Sequence, residues 1–426
     1  MKTQEIITKF RIKTDSVFWV YYLLIFLISV LLQLLLIGKF LDNQIITKYS
    51  PTAIDAEGYS FRALEWRKQG FESAFADLSR MPGYPFILLV MNIIFPGYQY
   101  LATRLLQLLL LAVSSVILLR ILTSFMSKNI AFLFSVLFNL LPIWHFVPVL
   151  IAESLTAVTV VILAFLLNQY DKKIEFKNHL LIGMTISIST YLKPNNLILI
   201  FVAIVFVLFT RDIKKVFTIS TIIITVLILL LPWVAFTNKG EREFLGLTTT
   251  LGGNLYAGTG MHLSYDNSVL SNSAIKWKVD PKNNTSDILD TRFIESSIEK
   301  NKALVNRSLE IWTSRPYEQA RYSIDKILIA FGLKANNALG YVFGIFNTIA
   351  ILSSIVVAKQ RKYRNWGYAV FTSSILLAFQ AAIFQADRRF IVSIFIPLGV
   401  IAFAIAFAYI SKLFRLENFR LFKGLQ

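Results

Sequence analysis

The residues best suited to chemistry lie in a polar segment, Ser50–Pro85, that separates two apolar stretches of the chain. Asp55 and Glu57 stand near its start, and Arg80-Met81-Pro82-Gly83-Tyr84-Pro85 closes it. On a helix, side chains two residues apart point about 200° from each other. We therefore expect one of the two carboxylates to serve a site and the other to be structural. A membrane protein with such a segment after its first span is expected to hold an aqueous site against the membrane surface.

Five other ionisable residues stand at or near the predicted ends of apolar runs. Glu153 opens one run, where a helix dipole stabilises a carboxylate by about 0.3–1 kcal/mol; a functional role is the equal alternative, since ionisable groups at membrane depth are commonly functional. Arg104, Lys193, Arg388 and Arg389 are cations that could bind a phosphate. For Lys193 and Arg388 the alternative is that the side chain reaches to the lipid head groups.

Other motifs of catalysis or metal binding are weak. Leu247–Gly260 is rich in glycine and threonine, but it lacks the Gly-Lys-Ser/Thr ending of a nucleotide-binding loop, so we expect a tight loop that brings backbone close to a ligand. His145, His179 and His262 are scattered and form no zinc motif. The absence of cysteine excludes disulfides and cysteine nucleophiles.

The composition indicates a polytopic membrane protein. Of 426 residues, 56% are hydrophobic, and the mean hydropathy is +0.61. The first apolar run is longer than a signal-peptide core of about 7–15 residues, so we count it as a span. Pro85–Phe95 is too short to cross, and we expect an interfacial or re-entrant helix. The ten predicted spans are Val17–Gly38, Tyr100–Leu122, Asn129–Trp144, Ala152–Gln169, Leu180–Tyr191, Asn195–Thr210, Val216–Thr237, Ala338–Ala358, Gly367–Phe384 and Phe390–Ile410.

The basic residues predict the orientation. With ten spans, 20 of the 43 basic residues and only six acidic ones lie on the six short segments of one side. This is the bias of cytoplasmic loops, so we expect both termini in the cytoplasm and the segments Ser50–Pro85 and Asn238–Asp325 outside the cell membrane. The formal charge of +18 is thus mostly a topology signal, and we expect no nucleic-acid partner.

Three regions follow. Residues 1–237 form an N-terminal membrane module with a catalytic outer loop, 39–99. Residues 238–325 form an extracytoplasmic cap, in which Arg292–Trp312 has helical spacing. Residues 326–426 supply the last transmembrane helices and a cytoplasmic tail.

Taken in order, these motifs resemble those of GT-C-fold membrane glycosyltransferases, and most closely those of bacterial relatives of the protein O-mannosyltransferases and of the aminoarabinose transferase that modifies lipid A. The motifs that carry the resemblance are Asp55 to Tyr59, Arg80 to Pro85, Arg104-Leu105-Leu106-Gln107, Glu153, Lys193-Pro194, Trp233, Gly252 to Leu255, and Arg389-Phe390 ahead of Pro397. Lys193-Pro194 replaces the family's Arg-Pro, Arg389-Phe390 replaces Arg-Tyr, and Trp233 lacks the Arg that follows in the family. These departures indicate a divergent substrate.

The resemblance implies an all-α GT-C-like bundle of about ten transmembrane helices with large first and late extracytoplasmic loops. It implies inverting transfer of a sugar from a polyprenyl-phosphate donor to a lipid, glycan or protein acceptor on the outer face of the cell membrane. Asp55 is then the general base, Glu153 a second catalytic residue, and outer-side cations stabilise the leaving phosphate. The implied substrate-binding residues are Glu57, Tyr59, Arg80, Tyr84, Arg104, Lys193, Asn254, Arg388 and Arg389.

No cofactor is firmly implied, although Asp55, Glu57 and Glu153 could bind a divalent cation. Two other functions stay open. A transporter or flippase of lipid-linked saccharide would show charged residues in mid-span and paired broken helices. The sequence has few charged residues in mid-span and no evident pair of broken helices. A polysaccharide polymerase or ligase would also use outer loops and cations.

Overall fold

The structure is a computed structural model that describes residues 16–42, 54–70, 80–141, 143, 146–210, 212–237, 247–248, 251–259, 298–334, 338–384 and 388–413. This part of the chain is helical and contains no β-strand. Its α-helices are α1 Ser16–Asp42, α2 Ile54–Gln69, α3 Gly83–Ile94, α4 Gln99–Leu122, α5 Lys128–Leu140, α6 Glu153–Lys172, α7 Phe176–Leu192, α8 Leu199–Leu208, α9 Lys215–Thr237, α10 Leu251–Gly258, α11 Ile298–Ser314, α12 Pro316–Ala330, α13 Ala338–Ala358, α14 Arg364–Ile383 and α15 Arg388–Leu413.

Six described helices, α4, α6, α9, α13, α14 and α15, are long and apolar enough to cross a membrane. The chain is therefore a multi-pass membrane protein, as predicted. The four other predicted spans fall on α1, α5, α7 and α8, each of which is a helix. The shortest of these, α8, is preceded by a 3-10 turn, Pro194–Ile198, because a proline disfavours helical backbone in the residue before it and ends α7 at that point.

Helices α6 and α15 form the centre of the bundle. They are the most buried of the six candidate spans, and α6 packs against α4, α7 and α15. Helix α9 is the least buried of the six; Val216 and Leu227 on its surface are 80% and 60% exposed. An apolar helix face left open in this way is suited to contact with lipid.

The predicted catalytic outer loop is built around two helices rather than an irregular loop. Helix α2 buries Ala56, Tyr59, Ala63 and Trp66, whose spacing of three, four and three residues lies along one face of a helix. This face packs on α3, which packs in turn on α4 and α7. Helix α3 has 12 residues, which confirms the short helix predicted at Pro85–Phe95.

Glycine at position 83 allows α3 to begin against the end of α7. A Cβ atom at this position would lie 2.6 Å from the backbone oxygen of Tyr191, closer than real Cβ contacts, so a larger residue would push the two helices apart. The close approach places the start of α3 near Lys193, the residue that follows α7.

The described part of the outer segment is also helical. Helix α11 confirms the helical spacing predicted for Arg292–Trp312 over the residues from 298 onward. Leu251–Gly258, for which a tight loop was predicted, is instead the helix α10; this prediction was wrong, because packing of α10 against α11 and α14 overrides the low helix propensity of its glycines. Helix α12 starts at Pro316, a favoured first helical position, and runs across the predicted boundary at residue 325.

Candidate functional site

An ion cluster of Glu153, Lys193 and Arg389 joins three helices at one end of the bundle. The Lys193 Nζ lies 2.6 Å from Glu153 Oε1 and donates a hydrogen bond to it. The Arg389 Nε lies 3.8 Å from the same oxygen. The side chain of Glu153 is only 3% exposed, and that of Lys193 is 12% exposed. The structure therefore brings together three of the residues that the sequence singled out.

The sequence positions each member of this cluster at a helix end. Glu153 is the first residue of α6, where the helix dipole stabilises its charge. Lys193 follows α7 in an extended conformation, ahead of Pro194. Arg389 lies in the first turn of α15, where the dipole disfavours a cation. The dipole of α15 therefore does not explain a cation at position 389. The carboxylate of Glu153 offsets this unfavourable interaction.

The cluster has the electrostatic properties of an anion site. Two cations share one carboxylate oxygen; the side chains of Glu153 and Lys193 are largely buried, and that of Arg389 is 32% exposed. Lys193 directs its charge to Glu153 inside the protein, which argues against a role limited to contact with lipid head groups. Charge-assisted hydrogen bonds from Lys and Arg to phosphate are among the strongest in proteins.

A second cluster lies on α2, α3 and α4. The Arg80 guanidinium carbon lies 4.7 Å from the centroid of the Tyr59 ring, and the Tyr59 and Tyr84 rings meet edge to face, 4.9 Å apart. The Gln107 amide donates to the Tyr84 hydroxyl oxygen at 2.7 Å. Burial raises the pKa of Tyr84, and Glu153 is near enough to add to this effect. The aromatic cluster therefore adjoins the ion cluster.

Two members of this region were not predicted as site residues. Arg62 is a buried residue of α2; burial, followed by the charge of the nearby Arg80, lowers the pKa of Arg62 to about 9. It lies two turns after position 55 and one turn before Trp66, a spacing that could have been found from the sequence. Gln107, which the sequence indicated only as the last residue of the Arg104–Gln107 motif, positions the Tyr84 hydroxyl.

Arg104 has a structural task. Its Nε donates a hydrogen bond to the carbonyl oxygen of Pro148 at 2.9 Å, and the residue is 2% exposed. This bond ties α4 to the turn that precedes α6, and so to the backbone that presents Glu153.

The remaining predicted residues are less closely connected. Glu57 is exposed on α2, consistent with only one of the two acids serving a buried site. Asn254 is exposed on α10. The side chains of Asp55 and Arg388 lie outside the described side chains, although their backbones belong to α2 and α15. Among the described residues no three His, Asp or Glu side chains cluster as metal ligands, and Asp55 of the predicted cation set is not among them.

Comparisons with known proteins bear on the fold. No protein-family model matches the chain, and no curated protein matches it. The solved structure of the archaeal oligosaccharyltransferase AglB from Archaeoglobus fulgidus, in complex with an inhibitory peptide and a dolichol-phosphate, superposes with a TM-score of 0.52 at 12% identity over 93% of this chain. A structure of the Archaeoglobus fulgidus oligosaccharyltransferase tethered to an acceptor peptide gives 0.46 at 12% identity, over 80% of this chain and 42% of that one.

The first of these likenesses identifies the fold as GT-C-like, as the sequence predicted. The chain spans about half the length of that structure, 52%. Neither of these two structures is a protein O-mannosyltransferase or the aminoarabinose transferase, so the predicted kinship with them stays a prediction.

Proposed function

We propose that the protein is an integral membrane glycosyltransferase that moves a sugar from a polyprenyl-phosphate donor to an acceptor on the outer face of the cell membrane. The observation that carries the proposal is the cluster of Glu153, Lys193 and Arg389, in which two cations meet one buried carboxylate at one end of a helical bundle. The AglB structure holds a dolichol-phosphate, which supports a lipid phosphate as the donor.

The site suits a donor whose tail stays in lipid while its phosphate enters the protein. Lys193 and Arg389 bind the phosphate, and their charge stabilises the negative charge that develops as the bond from the anomeric carbon to the phosphate oxygen breaks. Glu153 holds the two cations together through Oε1. The acceptor is a lipid, glycan or protein with a free hydroxyl group.

In this mechanism, Asp55 is the general base. It takes the proton from the acceptor hydroxyl as that oxygen bonds to the anomeric carbon, and the polyprenyl phosphate leaves from the opposite side. Position 55 lies one turn before Tyr59 along α2, and Tyr59 contacts Tyr84 and Arg80. These contacts support a single site shared by the base and the phosphate ligands. The charge bias of the short loops supports an extracytoplasmic site and cytoplasmic termini.

Binding of undecaprenyl phosphate to the purified protein in detergent, measured by native mass spectrometry, tests the phosphate site. We expect Arg389→Ala to weaken binding by about 10–100-fold, since a hydrogen bond to a charged group contributes about 1.5–3 kcal/mol. Arg361→Ala, at an exposed arginine between α13 and α14, is the matched control and should bind normally. Undecaprenol, which lacks the phosphate, should bind equally to both. If Arg389→Ala bound undecaprenyl phosphate with wild-type affinity, Arg389 would not be a phosphate-binding residue and the proposed site would be contradicted.

A further inference from the structure

The side chain of Lys326 on α12 is fully buried, with 0% of the residue exposed. Its Nζ donates to the backbone oxygen of Gly258 at 2.6 Å and of Phe384 at 3.1 Å. Neither carbonyl belongs to α12, so Lys326 joins three separate parts of the chain.

Both acceptors are helix ends. Gly258 is the last residue of α10, and Phe384 is the residue at which α14 ends. The last carbonyls of a helix have no partner within it and carry the negative end of its dipole, so a cation at this place is favourable. The two ends touch, because a Cβ atom at Gly258 would lie only 2.2 Å from the oxygen of Ile383. Lys326 thus compensates two negative helix ends that would otherwise repel each other.

Two more donors of α12 act on the same ends. Gln319 donates to the oxygen of Thr259 at 2.9 Å, and Ser323 donates to the oxygen of Ala382 at 2.8 Å. Positions 319, 323 and 326 are four and three residues apart and lie along one face of the helix. This face of α12 therefore presents a row of donors to the carboxyl ends of α10 and α14.

The row lies close in sequence to the ion cluster. Residues 385–387 alone separate Phe384 from α15, whose second residue is Arg389. We propose that Lys326 is a positioning residue: by binding the ends of α10 and α14, it fixes where α15 starts and so holds Arg389 against Glu153. The part that concerns Arg389 as a phosphate ligand rests on the function proposed above.

A purely packing role does not require this residue. Burying an ammonium group is costly, whereas methionine would fill a similar volume with no charge. Burial lowers the pKa of Lys326 to about 7, so the side chain passes near neutral pH from three N–H donors to two, which still suffice for two carbonyls. The two bonds, rather than the volume, explain a lysine here.

The first test does not depend on the donor. The chain has no cysteine, so spin labels can be attached to Asn254→Cys on α10 and Gln69→Cys on α2, both exposed positions, and their separation measured by pulsed electron paramagnetic resonance. We expect one narrow distance in the otherwise unchanged protein and a broad distribution in Lys326→Met. Lys334→Met is the matched control, since Lys334 is 44% exposed and pairs with Asp325 at 3.0 Å; it should keep the narrow distance.

The second test links Lys326 to Arg389. Lys326→Met should weaken binding of undecaprenyl phosphate by about tenfold or more, since small displacements of binding groups have large effects, and should add little in an Arg389→Ala background, since coupled residues are non-additive. Gln319→Leu should broaden the distribution of label distances to a smaller extent. This variant replaces Lys326→Met in the test if Lys326→Met does not fold. A narrow distribution of label distances in the folded variants, or fully additive losses of affinity in the double variant with Arg389→Ala, would overturn the proposal. Absence of undecaprenyl phosphate binding in the wild type would instead contradict the proposed function, while the label distances still decide the role of Lys326.

Discussion

Removal of the Lys193 charge separates its structural role from its functional one. Lys193→Met keeps most of the side-chain volume but leaves the Glu153 carboxylate, 3% exposed, with Arg389 at 3.8 Å as its remaining cation among the described residues. At the 2.6 Å separation of the pair the gross attraction is about 6 kcal/mol for an effective dielectric constant of about 20, before desolvation is subtracted. Removing one member of a buried pair typically costs about 3–5 kcal/mol. We expect about 3 kcal/mol, because Arg389 still compensates part of the charge.

The double variant Lys193→Met/Glu153→Gln makes the reasoning testable. It removes the orphaned buried charge as well, so the free energy of unfolding should return to within about 1 kcal/mol of the wild type. Affinity for undecaprenyl phosphate should stay low in both variants, since neither has the lysine. Lys177→Met is the control: Lys177 is 70% exposed in its pair with Glu175, and such surface pairs contribute about 0–1 kcal/mol.

The assay is reversible unfolding in mixed micelles, followed by tryptophan fluorescence, in parallel with lipid-phosphate binding. If the double variant is as unstable as Lys193→Met, the destabilisation does not come from an uncompensated carboxylate. If the double variant binds undecaprenyl phosphate as the wild type does, Lys193 is no phosphate ligand and the cluster is structural only.

Other expected results concern the base, the topology and the pH dependence. Asp55→Asn should lower turnover by about 10²–10⁴-fold and Glu57→Gln much less; the opposite order in a turnover assay would exchange their roles. A membrane-impermeant maleimide should label Tyr317→Cys, at an 80% exposed position, in intact cells, and Arg361→Cys only after permeabilisation; the reverse would invert the orientation. Since burial lowers the pKa of Lys326 from 10.5 to about 7, the unfolded chain binds more protons between these values. The free energy of unfolding of the wild type relative to Lys326→Met should therefore rise with pH in this range, by at most about 1.4 kcal/mol per unit, and a flat difference would show that the lysine titrates normally.

The ion cluster was accessible from the sequence because its members stand at the ends of apolar runs. Counting spans placed Glu153, Lys193 and Arg389 on one side of the membrane, and a buried carboxylate and two cations on one side have a strong reason to meet. The pairing itself needed the structure, since it depends on how α6, α7 and α15 pack.

Features that depend on tertiary packing were predicted wrongly or not identified from the sequence. Glycines and threonines in Leu247–Gly260 favour a loop, and only packing against α11 and α14 makes part of it helical. The helical spacing of Ala56, Tyr59, Ala63 and Trp66 was present in the sequence but is interrupted by charged residues on the exposed face of α2. Lys326 has backbone carbonyls as partners, and backbone acceptors leave no signature in a sequence.

The central claim is tested most directly by the fate of the donor. The purified protein would be reconstituted in vesicles with lipid-linked sugars extracted from isotopically labelled cells of its source, together with membranes of those cells as the supply of acceptor. We predict protein-dependent transfer of label to an acceptor with release of polyprenyl phosphate, and loss of both in Asp55→Asn. Label that remains on the intact lipid, or that crosses the vesicle membrane still attached to it, would contradict a glycosyltransferase and favour a transporter.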